Sequence, residues 1–169
     1  VVRERYRRWI AGGCHAGMSY LERNERLRYN PDALVPGVRT VISVALPYRP
    51  LRQAAGISMY AQGQDYHLVV RQRLRRLMQE IGATGRCFTD TAPVLEKYWA
   101  WRCGLGWQGR HTQLILPGMG STHFLGELFV HQRSDQYDFP LSPRCGSCRR
   151  CQEACPAGAL ADKCLDARR

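Results

Sequence analysis

Four cysteines crowd into eleven residues, at Cys145, Cys148, Cys151 and Cys155, and Pro156 follows the last of them. The spacing C-x2-C-x2-C-x3-C-P is that of a bacterial two-cluster ferredoxin. Short loops wrap three thiolates around one face of a cubane, and the fourth, carried past the turn, points at a different cluster. Zinc is the rival, since four thiolates also suit it, but zinc sites usually pair two C-x2-C knuckles across a longer loop. By the two-cluster logic Cys145, Cys148 and Cys151 share one [4Fe–4S] cluster, and Cys155 serves a second. The second run that would complete both clusters is not in the sequence, and Cys164 is a lone extra. Pro156 redirects the chain, and Ala157 to Leu160 are expected to begin a short helix.

Composition decides the compartment. Eight cysteines in a secreted chain would suggest disulfides. Here no apolar run approaches the ~20 residues of a membrane span, and no N-terminal stretch has a signal-peptide layout. The cytosolic reading of clustered cysteines, metal binding, therefore applies. The chain is expected in the cytoplasm, away from membranes. Lys and Arg number 25 against 14 Asp and Glu, a net charge of +11. Such a chain is drawn to polyanions, and nucleic acid is favoured over a surface basic only for solubility. The 169 residues suffice for one domain with a core and a small appendage. The chain starts at Val1 and ends on Arg168-Arg169 in mid-pattern, and reads as a fragment of a longer protein.

Residues 3–11 read as a short helix closed by Gly12-Gly13, and Arg39 to Pro47 as a buried strand. Residues 50–63 are loop-like. The clearest helix runs from Asp65 to Ile81, where Tyr66, Val69, Val70, Leu74, Leu77, Met78 and Ile81 recur at helical spacing. Asp65 suits its start and Gly82 its stop. Arg71, Arg73, Arg75 and Arg76 lie off the apolar stripe, as a solvated face or a phosphate-binding one. Arg86 to Thr89 reads as a strand, Pro93 to about Arg102 as a helix, and Thr112 to Leu116 and His123 to Val130 as strands. The alternation predicts an α/β (α+β) domain with a mixed sheet over residues 1–131. Residues 132–144 are a polar, Pro-bearing linker, and 145–169 the first half of a ferredoxin-like module.

The middle of the chain carries two further motifs. Asp90-Thr91-Ala92-Pro93-Val94-Leu95-Glu96-Lys97 places a carboxylate between a strand and a helix, where α/β folds bind ligands. Gly104-Leu105-Gly106-Trp107-Gln108-Gly109-Arg110-His111-Thr112 brings three glycines into six residues, so that backbone can approach a flat or anionic ligand. This Gly-x-Gly-x-x-Gly follows a helix and not a strand, which excludes the dinucleotide reading.

These two motifs, then Gly120-Ser121 with Phe124-Leu125-Gly126-Glu127-Leu128, and the cysteine run ending in Leu165-Asp166-Ala167-Arg168-Arg169, resemble the epoxyqueuosine reductases in the same order. Gly17 to Leu21, Pro36 to Ala45 and Asp65-Tyr66-His67 extend the resemblance over residues 12–169. It implies a cobalamin domain followed by a two-cluster [4Fe–4S] module, a monomer fed by an external electron donor. The implied activity is reduction of the epoxide of epoxyqueuosine in a tRNA anticodon to queuosine. The family's catalytic acid falls on Asp90. Its corrinoid contacts fall on Gly104, Gly106, Trp107, Gly109, Arg110, His111, Thr112, Leu114, Ser121 and Leu125. No obligatory protein ligand beneath cobalt is expected, and no Asp-x-His-x-x-Gly motif occurs. Lys163-Cys164 departs from the family pattern.

Each residue has a plainer reading beside this one. Asp90 would serve equally as a helix cap before Pro93. An acid in the catalytic role must hold a proton near neutral pH, which burial favours. Lys97 suits a corrinoid amide, a tRNA phosphate or plain solvent. His111 suits a cofactor contact or a loop hydrogen bond, and Trp107 a corrinoid wall or core. Tyr66 and His67 suit a pocket lining or, more plainly, packing, and Cys14, Cys87 and Cys103 read as buried thiols. Two other functions fit parts of the sequence. A basic iron–sulfur electron carrier or nucleic-acid-binding protein explains cysteines and charge but not Asp90 or the glycines. A corrinoid reductase of another substrate explains those but not the charge.

Overall fold

Residues 2–49, 54–161 and 163–169 are described by the structure, a computed structural model. Its centre is a strand that is buried on both faces. The alternating run His123–Val130 forms β5, flanked on one side by β1 (Thr40–Pro47) and on the other by β2 (Gly85–Phe88). Both pairings are antiparallel, with Thr40 and Gly85 each opposite Val130. Every ladder among the described residues is antiparallel, so the mixed α/β class holds while the expected mixed sheet does not. No helix among them crosses from one strand of this sheet to a parallel neighbour, as a parallel pair would require.

The two-residue period of β5 sorts its side chains. Leu128 and Val130 face the long helix α4 (Tyr66–Glu80), packing with Val70 and Leu74. Phe129 faces the other way, against Phe88, Val35, Val94 and the ring of Trp99 on α5 (Glu96–Arg102). Leu128 and Phe129 are wholly buried. Each contributes roughly 1.5–3 kcal/mol of transfer free energy. Gly126 lets α4 lie close to the sheet: an added Cβ would sit 2.7 Å from Val70 Cγ1 and 2.9 Å from Leu74 Cδ1. Helix α4 starts where expected, with the Asp65 carboxylate accepting the His67 N–H at 2.9 Å, and stops at Gly82 in the left-handed region (φ +61°). Arg73, Arg75 and Arg76 lie exposed on it, and Arg76 pairs with Glu80 at 2.7 Å.

The helix expected from Pro93 begins three residues later. Residues 89–94 turn twice, through Thr91 N–H to Thr89 O and Val94 N–H to Ala92 O, so that Ala92 and Val94 reach the Phe88–Phe129 core. That burial outweighs the helix-start preference of proline. The strand expected over Thr112–Leu116 shrinks to β4 (Leu114–Ile115). It pairs with β3 (Trp107–Gln108) in a separate hairpin and not with the main sheet.

Before the sheet lie α1 (Val2–Ala11), α2 (Glu25–Tyr29) and α3 (Pro31–Leu34). Of the loop expected over 50–63, residues 50–53 lie outside the described residues, and Met59–Ala61 form a 3-10 turn. Residues 132–144 hold no helix or strand but are tied down: Thr40 Oγ1 donates to Gln132 O at 2.8 Å, and Trp101 Nε1 to Leu141 O at 3.1 Å. The helix of the cysteine segment, α6 (Arg150–Glu153), lies inside the run and not after Pro156. Gly158 and Lys163, both with positive φ, instead turn the chain into a small hairpin, β6 (Leu160–Ala161) and β7 (Cys164–Leu165). That hairpin docks on α1, where Trp9 Nε1 donates to Leu165 O at 2.6 Å. Cys164 there shares a hydrogen bond with Cys14. Cys14, Cys87 and Cys103 are half-buried and not buried as expected.

Candidate active site

Asp90 follows β2, whose end is pinned by Thr89 Oγ1 donating to Leu125 O at 3.0 Å. Asp90 itself takes a left-handed backbone (φ +58°), a conformation that a short polar side chain tolerates. The turn carries its carboxyl into an open cleft lined by Tyr66, Thr89, Glu96, Lys97, Gln113, Leu114, Ser121, His123, Phe124 and Leu125. Asp90 does not cap α5, which starts six residues later.

Two side chains from the start of α4 converge on this carboxyl. The Tyr66 hydroxyl donates to Asp90 Oδ2. His67 Nε2 lies 3.4 Å from the same oxygen, while His67 Nδ1 is 2.8 Å from Asp65 Oδ1. The helix cap therefore also orients the imidazole. Tyr66 is fixed by stacking on Phe124, ring centroids 4.1 Å apart and planes within 4°. Burial, and then the Asp90 carboxylate beside it, raise the Tyr66 phenol above its ordinary range. It is therefore a donor at any physiological pH.

Behind Asp90 stands a second acid. A Glu96 carboxyl oxygen accepts the Asp90 backbone N–H. Burial pushes Glu96 up to about 7; the bond from Asp90 N–H opposes that rise, and the Asp90 charge adds to it. Deeper still, Glu127 on β5 is wholly buried; Ser43 Oγ donates to its Oε1 at 3.3 Å, and Oε2 has no partner among the described residues. Burial holds Glu127 well above the carboxylate range, with Glu96 adding to the shift. The burial expected at Asp90 thus falls on its neighbours, since the Asp90 side chain is 60% exposed. A carboxyl that accepts from a phenol, stands beside an imidazole and opens to the cleft is placed to exchange a proton with a molecule there.

The family model for epoxyqueuosine reductase QueG, DUF1730, matches residues 28–91. The epoxyqueuosine reductase of Burkholderia pseudomallei is 40% identical over 201 aligned residues, covering 95% of this chain and 49% of that one. The solved structure of the Streptococcus thermophilus enzyme superposes with a TM-score of 0.89 at 28% identity, over 99% of this chain and 49% of the other. This chain is similar to about half of an epoxyqueuosine reductase. An epoxyqueuosine reductase solved with an epoxyqueuosine-modified tRNA-Tyr stem loop also matches, at 26% identity and a TM-score of 0.89, over 99% of this chain and 48% of that one. The chain spans about half the length of the relatives it matches.

The structure brings four of the expected site residues together along the cleft: Asp90, Leu114, Ser121 and Leu125. Gly104, Gly106, Trp107, Gly109, Arg110, His111 and Thr112 do not line it. The glycines have packing reasons of their own. A Cβ on Gly106 would lie 2.3 Å from Ile115 O, and one on Gly109 would lie 2.8 Å from both the His111 ring and Ile115 Cδ1, so both are needed to close the β3–β4 hairpin. Gly104 ends α5 with φ +74°. His111 Nδ1 accepts the Gln113 N–H at 3.1 Å, and Arg110 donates to Gly146 O at 2.8 Å, which fastens the hairpin to the cysteine segment. Tyr66 and His67 were legible as pocket lining, beside a packing reading, from their place at a helix start; Glu96 stood in the Asp90 motif without a role.

In the cysteine run, the Cys155 thiol accepts backbone N–H groups of residues 157–160, led by that of Ala159, which hold it below the ordinary thiol range. That cradle favours a thiolate ligand. Among the described residues no three His, Cys, Asp or Glu are grouped to hold a single metal ion. No described helix is long and apolar enough to cross a membrane.

Proposed function

We propose that this chain supplies the acid-bearing cofactor face of a cytoplasmic enzyme that reduces the epoxide of epoxyqueuosine in tRNA to queuosine. The observation that carries the proposal is Asp90, projected from a left-handed turn into an open cleft and held there by Tyr66 and His67. Removing the epoxide oxygen as water consumes two electrons and two protons. Asp90 is the proton donor at the cleft. Tyr66 fixes its carboxyl by a hydrogen bond, His67 Nε2 lies 3.4 Å from the same oxygen, and Asp65 fixes His67.

The cleft's described volume is about 150 Å³. Sites that enclose a small ligand run to roughly 300–1,000 Å³. A corrinoid is therefore met along one open wall and not swallowed. The residues fit such a wall: Leu114, Phe124 and Leu125 are apolar, and the half-buried His123 has no partner for Nδ1 among the described residues. An amide-bearing ligand offers that partner. Leu114, Ser121, His123, Phe124 and Leu125 would hold cobalamin there, with Gly104, Gly106, Trp107, Gly109, Arg110, His111 and Thr112 shaping the rim from behind. Cobalamin, when bound and reduced, supplies the electron-rich centre that the deoxygenation needs. Cys145, Cys148, Cys151 and Cys155 are ligands of the [4Fe–4S] clusters that connect it to an external donor. The net charge of +11 favours the tRNA polyanion over a small neutral substrate.

The test is an anaerobic cob(II)alamin titration of the full-length protein, read by visible absorption and electron paramagnetic resonance. A saturable shift to the base-off spectrum is expected, weakened by Leu125→Arg. An unchanged spectrum in folded protein would overturn the corrinoid reading and leave an iron–sulfur carrier.

A further inference from the structure

Asp90 needs more than partners for its carboxyl. Its backbone is left-handed (φ +58°), a conformation that a non-glycine residue keeps only when its surroundings hold it. Tyr66 and His67 contact only the side-chain oxygens. Thr89 and Thr91 fix the chain on either side, through Thr89 Oγ1 to Leu125 O and Thr91 N–H to Thr89 O at 2.7 Å. The Asp90 N–H itself points at Glu96, the first residue of α5. We propose that Glu96 is a positioning residue: its carboxyl grips the Asp90 amide, locks the left-handed turn and so sets where the acid points. This rests on Asp90 being the proton donor of the proposed reaction.

The grip is adjustable. A hydrogen bond to a carboxylate is roughly twice as strong as one to a neutral acceptor. Four groups set the charge of Glu96: Asp90 on the same turn, Lys97 beside it on α5, His67 on α4, and Glu127 behind it on β5. Burial and Asp90 favour the neutral form, while Lys97 and His67 favour the charged one. Burial favours the neutral form of Glu127 as well. Glu96 therefore changes charge near pH 7. The turn is held loosely below that pH and tightly above it.

The direct test follows the Asp90 amide proton of the isotopically labelled full-length protein from acid to alkaline pH. In the unvaried protein it moves downfield as pH rises, with a midpoint of about 7. In Glu96→Gln, which keeps the shape and loses the charge, it stays at its low-pH position throughout. In His67→Gln the inflection persists. A flat trace in the unvaried protein, which needs no variant to fold, overturns the proposal. So does an inflection that survives Glu96→Gln and vanishes in His67→Gln. In turnover, Glu96→Gln lowers kcat about tenfold with KM unchanged, the loss expected from weakening one charged hydrogen bond, and Glu96→Asp recovers part of it. If the unvaried protein reduces the epoxide and Glu96→Gln leaves kcat and its pH profile intact, the positioning role fails while the function stands. If the unvaried, cofactor-loaded protein reduces no epoxide, the function fails, and the amide titration still decides what Glu96 does.

Discussion

Gly126→Ala tests how the sheet delivers Tyr66 and His67 to Asp90. The new methyl meets Val70 Cγ1 at 2.7 Å and Leu74 Cδ1 at 2.9 Å. Leu74 can yield by a small rotation. Val70 cannot, because a β-branched residue in a helix has one strongly preferred rotamer. Helix α4 must therefore move outward, and with it the two residues that fix the acid. Overpacking of this kind costs about 1–3 kcal/mol, against about 0.5–1 kcal/mol gained by removing a strand glycine. The expected net loss is about 1–2 kcal/mol in these terms. Urea denaturation followed by tryptophan fluorescence measures it. Adding Val70→Ala, which removes the colliding methyl, should give a double variant more stable than the two single losses predict, by 0.5 kcal/mol or more as an order of magnitude for contacting residues. A neutral or stabilising Gly126→Ala, or strict additivity with Val70→Ala, would refute the claim that α4 rests on this glycine.

Glu127→Gln carries a pH signature. The folded protein holds Glu127 above its unfolded value, so its contribution to stability is full below the unfolded pKa and is lost as pH rises toward the folded one. The Gln variant lacks that loss, and its stability relative to the unvaried protein should grow by about 1.4 kcal/mol per pH unit above about 4.5. Asp90→Asn should cost epoxide reduction about 100-fold or more, as loss of a general acid does, while the melting temperature holds, because its side chain is largely exposed.

Much of this architecture was written in periodicities. The α4 stripe, its Asp65 cap and its Gly82 stop came through because each is a local signal, and β5 because alternation from Phe124 to Val130 has a period of two. The start of α5 did not, because the pull of Val94 into the Phe129 core is a tertiary effect that overrides proline. Gly106 and Gly109 of the glycine motif have Ile115 packed against them, a reason for smallness that spacing alone does not separate from ligand approach. Asp90 was legible through its motif, and Tyr66 and His67 in part as pocket lining at a helix start, whereas Glu96 became a site residue only when α5 was laid against the same strand as α4. Glu127 stood in the Phe124-to-Leu128 motif without a role; its burial followed from its alternate-face position opposite Ser43.

The most direct measurement is turnover by the full-length, cobalamin-loaded protein on a tRNA stem loop bearing epoxyqueuosine, under anaerobic reduction, read by mass spectrometry of the released nucleoside. Loss of one oxygen to give queuosine, abolished by Asp90→Asn in protein that still binds cobalamin, is the predicted result. Unchanged epoxyqueuosine with cobalamin demonstrably bound, or equal conversion by Asp90→Asn, would contradict the account.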